Sequence, residues 1–180
     1  NFNWIKTIDQ LHLNRQLLNM RSPFMMPVYF WEVSNGKIFV ANSQWGYEIR
    51  IFDINGNLVR KIRKDYKPVE FSKKILKIYE RRNIAIPEFH PSFQRLFFTD
   101  NRNGNFFIMT FEKGENPREY LFDIFNKDGI FIGKISLDIY VERYTNRFPL
   151  YAVIKNQRLF YIREKESGYK ELICTRLIWK

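Results

Sequence analysis

Four residues recur at a constant offset of 73: Phe52, Gly56, Lys61 and Ile62 are matched by Phe125, Gly129, Lys134 and Ile135. Each set runs from an apolar strand through a Gly-containing turn into a second strand, Phe52-Asp53-Ile54-Asn55-Gly56-Asn57-Leu58-Val59-Arg60-Lys61-Ile62 and Phe125-Asn126-Lys127-Asp128-Gly129-Ile130-Phe131-Ile132-Gly133-Lys134-Ile135. Asn-Gly and Asp-Gly between apolar runs mark tight hairpins, because such turns need residues that tolerate positive φ. A register kept over two strands and a turn is the mark of a structural repeat, and repetition narrows the fold more than composition can.

The repeat extends upstream. Asn35-Gly36-Lys37-Ile38-Phe39-Val40, Asn103-Gly104-Asn105-Phe106-Phe107-Ile108 and Asn156-Gln157-Arg158-Leu159-Phe160-Tyr161 each place a turn before an apolar strand. A further strand follows each one, beginning at Tyr47, Tyr120 and Tyr169, with 12, 17 and 13 residues from Asn to Tyr. Only the intervening loop changes length. First strands are expected at Val28 to Val33, Phe93 to Thr99 and Leu150 to Lys155. The unit is therefore a four-stranded antiparallel meander, and the expected fold is all-β. Stacked meanders of this kind form β-propeller blades; the competing reading is a generic β-sandwich. The expected blades span about 27–62, 92–135 and 150–179 of one partial propeller domain covering 1–180.

The third copy stops at Trp179-Lys180, after its third strand, while Trp4-Ile5-Lys6-Thr7-Ile8 resembles a fourth strand, making 1–8 an outer strand. The strands amount to three blades, below the usual range of about four to eight for a closed ring. The expectation is a fragment of a longer propeller, or two copies of the chain closing a ring together. Short helices are expected between blades. One spans the stretch from Glu70 to Arg82, with Ser72 as N-cap and Ile75, Ile78, Tyr79 and Arg82 on one face. Another runs from Gln10 to Met20, burying Leu11, Leu17 and Leu18.

Composition agrees with a folded β-rich chain: 18% of residues are aromatic, which favours pleated, half-buried strands. No run reaches the roughly 18 apolar residues of a membrane helix. A single cysteine, Cys174, excludes an internal disulfide, and with two histidines, His12 and His90, leaves too few ligands for an ordinary zinc site. No cofactor or metal is expected. The net charge of +11 suits an anionic partner, although its dispersal also fits a merely basic surface. The densest runs are Arg60-Lys61-Ile62-Arg63-Lys64 and Lys73-Lys74 with Lys77, Arg81 and Arg82.

No catalytic constellation emerges. His90, in Phe89-His90-Pro91-Ser92, has no orienting partner in sequence and reads as structural or exposed. Asp123 and Asp128 read as strand-turn residues. The run Asp100-Asn101-Arg102-Asn103-Gly104-Asn105 lacks the regular acidic ligands and terminal Glu of a calcium loop, and reads as a hairpin tip. Basic residues interleaved with aromatics around Lys77 to Arg82 allow nucleic-acid contact, but the alternating strands place most aromatics in the core.

Topology is more informative. In an up-and-down blade, the loops between second and third strands share one rim with the connections entering each first strand. That rim would carry Trp45, Glu115, Arg118 and Glu166, together with Arg21, Met25, His90 and Arg147. Binding residues concentrate on loops held by a rigid scaffold.

Phe111 to Asn116 through Tyr120, then Asp123-Ile124-Phe125 and Gly129 to Ile135, resembles the penultimate blade of the bacterial six-bladed β-propeller proteins, in the style of the NHL-repeat and Tol-type propellers. The stretch from Glu164 to Tyr169 and on to Trp179-Lys180 is similar to their terminal strand pair. The resemblance covers the chain from about Pro27 onward and implies the C-terminal half of such a propeller. It transfers no catalytic motif, and since many members look exported, often as lipoproteins, it implies an extracytoplasmic (periplasmic or cell-surface) location. The leading expectation is a non-enzymatic binding or scaffold module presenting its rim to a protein, peptide or glycan. The alternatives are a propeller-type lyase or lactonase with its site in other blades, and an anion- or nucleic-acid-binding basic surface.

Overall fold

The computed structural model describes residues 7–9, 28–81, 87–98, 104–117, 119–138, 152–155 and 158–176. The chain divides into two compact units, Asn1–Gln94 and Arg95–Lys180. The first unit holds β1 (Tyr29–Ser34), β2 (Lys37–Asn42), β3 (Glu48–Asp53) and β4 (Leu58–Arg63), an antiparallel sheet ordered β1-β2-β3-β4. The second unit holds β5 (Arg95–Phe98), β6 (Phe106–Lys113), β7 (Tyr120–Phe125) and β8 (Phe131–Leu137), ordered β5-β6-β7-β8. It also holds β9 (Ala152–Lys155), β10 (Arg158–Glu164) and β11 (Lys170–Arg176), a three-stranded sheet ordered β11-β10-β9. The fold is all-β, and both four-stranded sheets are meanders.

Turn chemistry sets the register. Asn35 and Gly36 both take positive φ, 50° and 66°, which joins β1 to β2 by a two-residue hairpin and pairs Ser34 with Lys37. In the β3–β4 turn, the backbone N–H of Asp53 donates to the carbonyl of Asn57 (2.9 Å), and the Asp53 carboxylate accepts from the N–H groups of Asn55 and Asn57 (2.9 and 2.8 Å). The β7–β8 turn repeats this with an amide: Asn126 N–H donates to the Ile130 carbonyl (3.0 Å), and Asn126 Oδ1 accepts from Asp128 and Ile130 N–H (2.9 and 3.0 Å). A register shift sits between Ile51 and Phe52 in one sheet and between Ile124 and Phe125 in the other. The offset seen in the sequence therefore holds down to the bulge and the turn bonds.

The inner strands bury both faces. Phe39, Val40, Ala41 and Asn42 of β2 are consecutive and buried, as are Phe106 to Thr110 of β6 and Phe122 to Phe125 of β7. Neighbouring side chains on a strand point to opposite faces, so unbroken burial means cover on both sides. The outermost strands differ: in β4 only Ile62 is buried, and β8 alternates between exposed and half-buried positions. Within the second unit, Phe107, Met109, Phe122 and Ile124 of one sheet join Ile154 and Leu159 of the other in a single buried cluster.

Helix α1 (Lys73–Glu80) begins where expected, with the Ser72 hydroxyl accepting from Ile75 N–H. Its buried side corrects the expected face: Tyr79 is buried, Ile75 and Leu76 are half-buried, and Ile78 is exposed. Three and four residues separate Tyr79 from Leu76 and Ile75, so these share a stripe from which Ile78 is rotated away. Asp128 lies in its expected turn, but Asp123 is a fully buried mid-strand residue of β7, with Lys134 Nζ 3.9 Å from its carboxylate. The helix expected from Gln10 to Met20, most of the strand expected at Trp4 to Ile8, most of the Asp100–Asn105 run and the Asn156-Gln157 turn lie outside the described residues.

Because the Asp53 and Asn126 side chains each hold two turn N–H groups, Asp53→Ala and Asn126→Ala should each cost about 1 kcal/mol. Asp53→Asn should cost less than either, since the amide already serves at the equivalent position. Urea unfolding of the three variants checks this; an alanine cost no larger than that of an exposed control would contradict it.

Candidate binding rim

In the first unit the β2–β3 connection is locked from several sides. Asn42 caps a short 3-10 turn, Ser43–Trp45, its side chain accepting from Gln44 N–H (3.0 Å). Ser43 exchanges two hydrogen bonds with Val28, donating its N–H to the Val28 carbonyl and accepting Val28 N–H at its hydroxyl, both at 2.9 Å. Gly46, at φ 75°, ends the turn. Its carbonyl accepts the Ser92 hydroxyl at 2.6 Å, and the Tyr47 ring meets Phe93 edge-on at 5.8 Å. Thus the loop between second and third strands and the segment leading to β5 lie side by side.

Trp45 is half-buried, with the Arg50 guanidinium 3.4 Å from the centre of its ring, close enough for a cation–π contact. Arg50 Nε also donates to Glu48 Oε1 at 2.7 Å, while Arg63 Nε donates to Glu48 Oε2 at 2.5 Å. The strands dictate this group. Glu48 and Arg50 are two apart on one face of β3, and Arg63 is the cross-strand partner of Glu48. Burial of Glu48, only 2% exposed, would raise its pKa; the hydrogen bonds and charges of Arg50 and Arg63 outweigh that and hold it below the usual carboxylate value.

His90 lies in the same segment as Ser92, its N–H donating to the Val69 carbonyl (2.8 Å) and its ring 3.7 Å from that of Phe71. Phe89 bridges to Glu70 on the opposite side of this small pairing. These contacts give His90 a part in anchoring the segment on the residues before α1.

In the second unit the β6–β7 loop is organised by Glu119. Its carboxylate accepts from Asn116 Nδ2 and from the Ser136 hydroxyl, both at 2.7 Å, and these bonds lower its pKa. Lys113 Nζ stands 3.2 Å over the Tyr120 ring, and Glu115 is exposed at the loop tip. The β10–β11 hairpin carries exposed Glu166, and behind it Glu171 accepts from Arg163 Nε (2.8 Å) and pairs with Lys165 Nζ (2.9 Å). Those two cations lower the Glu171 pKa, Lys165 foremost. Glu166 lines an open depression of about 470 Å³ with Asp138, Arg163, Lys165 and Glu171 among its walls. Asp138 directly follows β8, whose Leu137 pairs with Tyr120, so the depression adjoins the sheet end from which the Glu115 loop springs.

Of the expected rim residues, Trp45 and His90 fall in two adjoining segments of the first unit, and Glu115 and Glu166 on loops of the second. Arg21, Met25, Arg118 and Arg147 lie outside the described residues. Nothing local in the sequence marks Glu48, Arg50 or Ser92 as part of a site, and Arg63 stands there only within a basic run. Alternation of Glu48 and Arg50 was visible there, but the partner Arg63 depends on the β3–β4 register. Among the described residues, no group of three or more His, Cys, Asp or Glu side chains is placed to hold a metal ion. Among them, too, no helix is long and apolar enough to cross a membrane. No protein-family model matches the sequence, and a search of curated proteins returns no significant match.

Because the Glu48 pKa is depressed in the folded state, its contribution is present above the unfolded value, about 4.3, and is lost as pH falls through the lower folded value. Glu48→Gln should cost about 2 kcal/mol at pH 7, a value reduced from that of a wholly buried pair because Arg63 is largely solvated. The difference between the variant and the parent chain should shrink on acidification toward pH 3. Denaturant unfolding at both pH values checks this, and a cost independent of pH would contradict the charge pairing.

Proposed function

We propose that the chain is a non-catalytic binding module, a set of propeller-type blades whose loop rim engages a protein, peptide or glycan partner. The observation that carries this reading is the Ser92–Gly46 hydrogen bond, which ties the loop of one meander to the segment entering the next. Such a tie holds the first unit's β2–β3 loop beside the segment before β5, and rigid support of variable loops is what binding surfaces need. Continuous burial of β2, β6 and β7 supports the stacked-blade architecture, since a sandwich sheet would keep one face of each inner strand in solvent. An extracytoplasmic location belongs to the same reading and rests on the family resemblance. Trp45, with its ring already oriented by Arg50, is the side chain best suited to anchor a ligand.

Peptide and glycan arrays probed with the purified chain test the reading. A ligand found there should lose about tenfold or more in affinity with Trp45→Ala, the loss typical of an aromatic anchor. Retention of fold is checked by thermal unfolding, and binding insensitive to Trp45, Glu115 and Glu166 substitutions would place the site elsewhere.

A second reading is favoured by one observation: β4 exposes Arg60, Lys61 and Arg63 along one short outer strand. An anionic polymer would use it through phosphate or sulfate contacts. Retention on heparin should then fall steeply with salt, and Arg60→Gln with Lys61→Gln should shift elution to lower salt. Unchanged elution would remove this reading.

A further inference from the structure

Four side chains on one face of β3 and β4 form a set whose charges do not balance. Arg50 and Lys61 are direct cross-strand partners, as are Glu48 and Arg63, so the four stand at the corners of one patch. Directly opposed residues have Cβ atoms about 4.5–5.5 Å apart, and long side chains also reach along the diagonals. Three cations against one carboxylate leave two positive charges uncompensated.

The carboxylate acts as a support for the arginines. Glu48 is 2% exposed and accepts Arg50 Nε at one oxygen (2.7 Å) and Arg63 Nε at the other (2.5 Å). Each arginine commits its Nε–H to Glu48, and among the described residues its Nη groups meet no acceptor. The Trp45 ring fixes the Arg50 guanidinium from a second side. Lys61 is exposed, and the Arg63 side chain is 73% exposed. A guanidinium carries five N–H donors in a rigid fork, so two forks are held on one buried carboxylate with their outer donors open.

The other sheets do without this excess. In the second sheet, 73 residues on, the four positions are Leu121, Asp123, Lys134 and Ser136, paired in the same register. There the one lysine faces Asp123 and pairs with Glu112 at 2.5 Å. In the third sheet Arg163 gives both its Nε and an Nη to Glu171, closing the fork on the carboxylate. Strand pairing in this chain therefore does not call for open forks, and their presence on β3–β4 asks for an anion.

We propose that Arg50, Lys61 and Arg63 bind a phosphate monoester group, held by Nη donors of both arginines and by the Lys61 ammonium. Such a group carries about −1.5 to −2 charge at pH 7 and three acceptor oxygens, matching the uncompensated charge and the three donor side chains. A phosphodiester carries one charge and would leave the set unbalanced. The proposal rests on the second reading above in using the exposed cations of β4, and narrows it to one face and one ligand group. Arg60, next to Lys61 in the strand, points to the opposite face and takes no part.

Titration with a blocked phosphoserine (N-acetyl, C-amide), followed by NMR, should shift the Nε–H signals of Arg50 and Arg63. Arg63→Gln and Lys61→Gln should each weaken binding about tenfold or more, the loss of one charge-assisted contact. Thermal melting verifies that each variant is folded. Arg60→Gln should leave the affinity unchanged. Glu48→Gln raises the positive charge but removes the support of both forks, so binding should fall at temperatures where this variant is folded; tighter binding would mean attraction by charge alone and would overturn the site. From pH 7 to pH 5 the dianion fraction of the probe falls about tenfold, and the affinity should fall with it. Inorganic phosphate, as a second probe, distinguishes a free anion from an esterified one, and either keeps the site. The proposal is overturned by an absence of binding, by dimethyl phosphate binding as tightly, or by Arg60→Gln weakening binding as much as Arg63→Gln. Heparin elution that moves with Arg60→Gln while phosphoserine fails to bind leaves the polymer reading and removes this one; the reverse pattern removes the polymer reading.

Discussion

The constraint on which the structure depends is that the inner strands of its sheets cannot stand in water on either side. Phe106, Phe107, Ile108 and Met109 are successive residues of β6, and none is more than 1% exposed. On a strand these four alternate between two faces, so the sheet needs apolar cover front and back. A single four-stranded meander cannot supply that cover, and a second sheet supplies only one side. In the second unit the side carrying Phe107 and Met109 is covered by the third sheet.

Around this constraint the polar groups fall into two roles. At the turns, Asp53 and Asn126 satisfy backbone N–H groups that would otherwise compete for water, fixing where one strand ends and the next begins. On the strands, Glu48 shows how a carboxylate survives burial: two guanidinium groups approach it from the same face, one from its own strand and one from the neighbour. Asp123, buried at the position equivalent to Arg50, has Lys134 nearby, and Lys134 pairs in turn with Glu112. Charge on the inner strands is thus arranged in cross-strand sets.

Much of this was legible in the sequence because period and punctuation are local. Asn35-Gly36 announces its hairpin through the φ values that both residues must adopt, and the offset of 73 carries the register of a whole turn and bulge. Ser72 announces a helix start in the same way. The face of α1 was harder: Ile78 is apolar and in phase with Ile75 by three residues, yet the buried stripe follows Leu76 and Tyr79. Which side of an eight-residue helix is covered depends on what packs against it, and no spacing rule reports that. The candidate rim divides likewise. Strand order alone put Trp45 and His90 on loops of one end, but Ser92 and Gly46 meet through long-range packing.

By itself, then, the sequence determined the meander, its hairpin positions, its repeat offset and the all-β class, because each follows from φ preferences and alternation within a few residues. Tertiary structure alone decided which apolar faces are covered and that Glu48 is held by two arginines. The physical reason is range. Hydrogen-bonded turns are made by neighbours in the chain, whereas burial and ion pairing depend on residues that reach one another only after the sheets have formed.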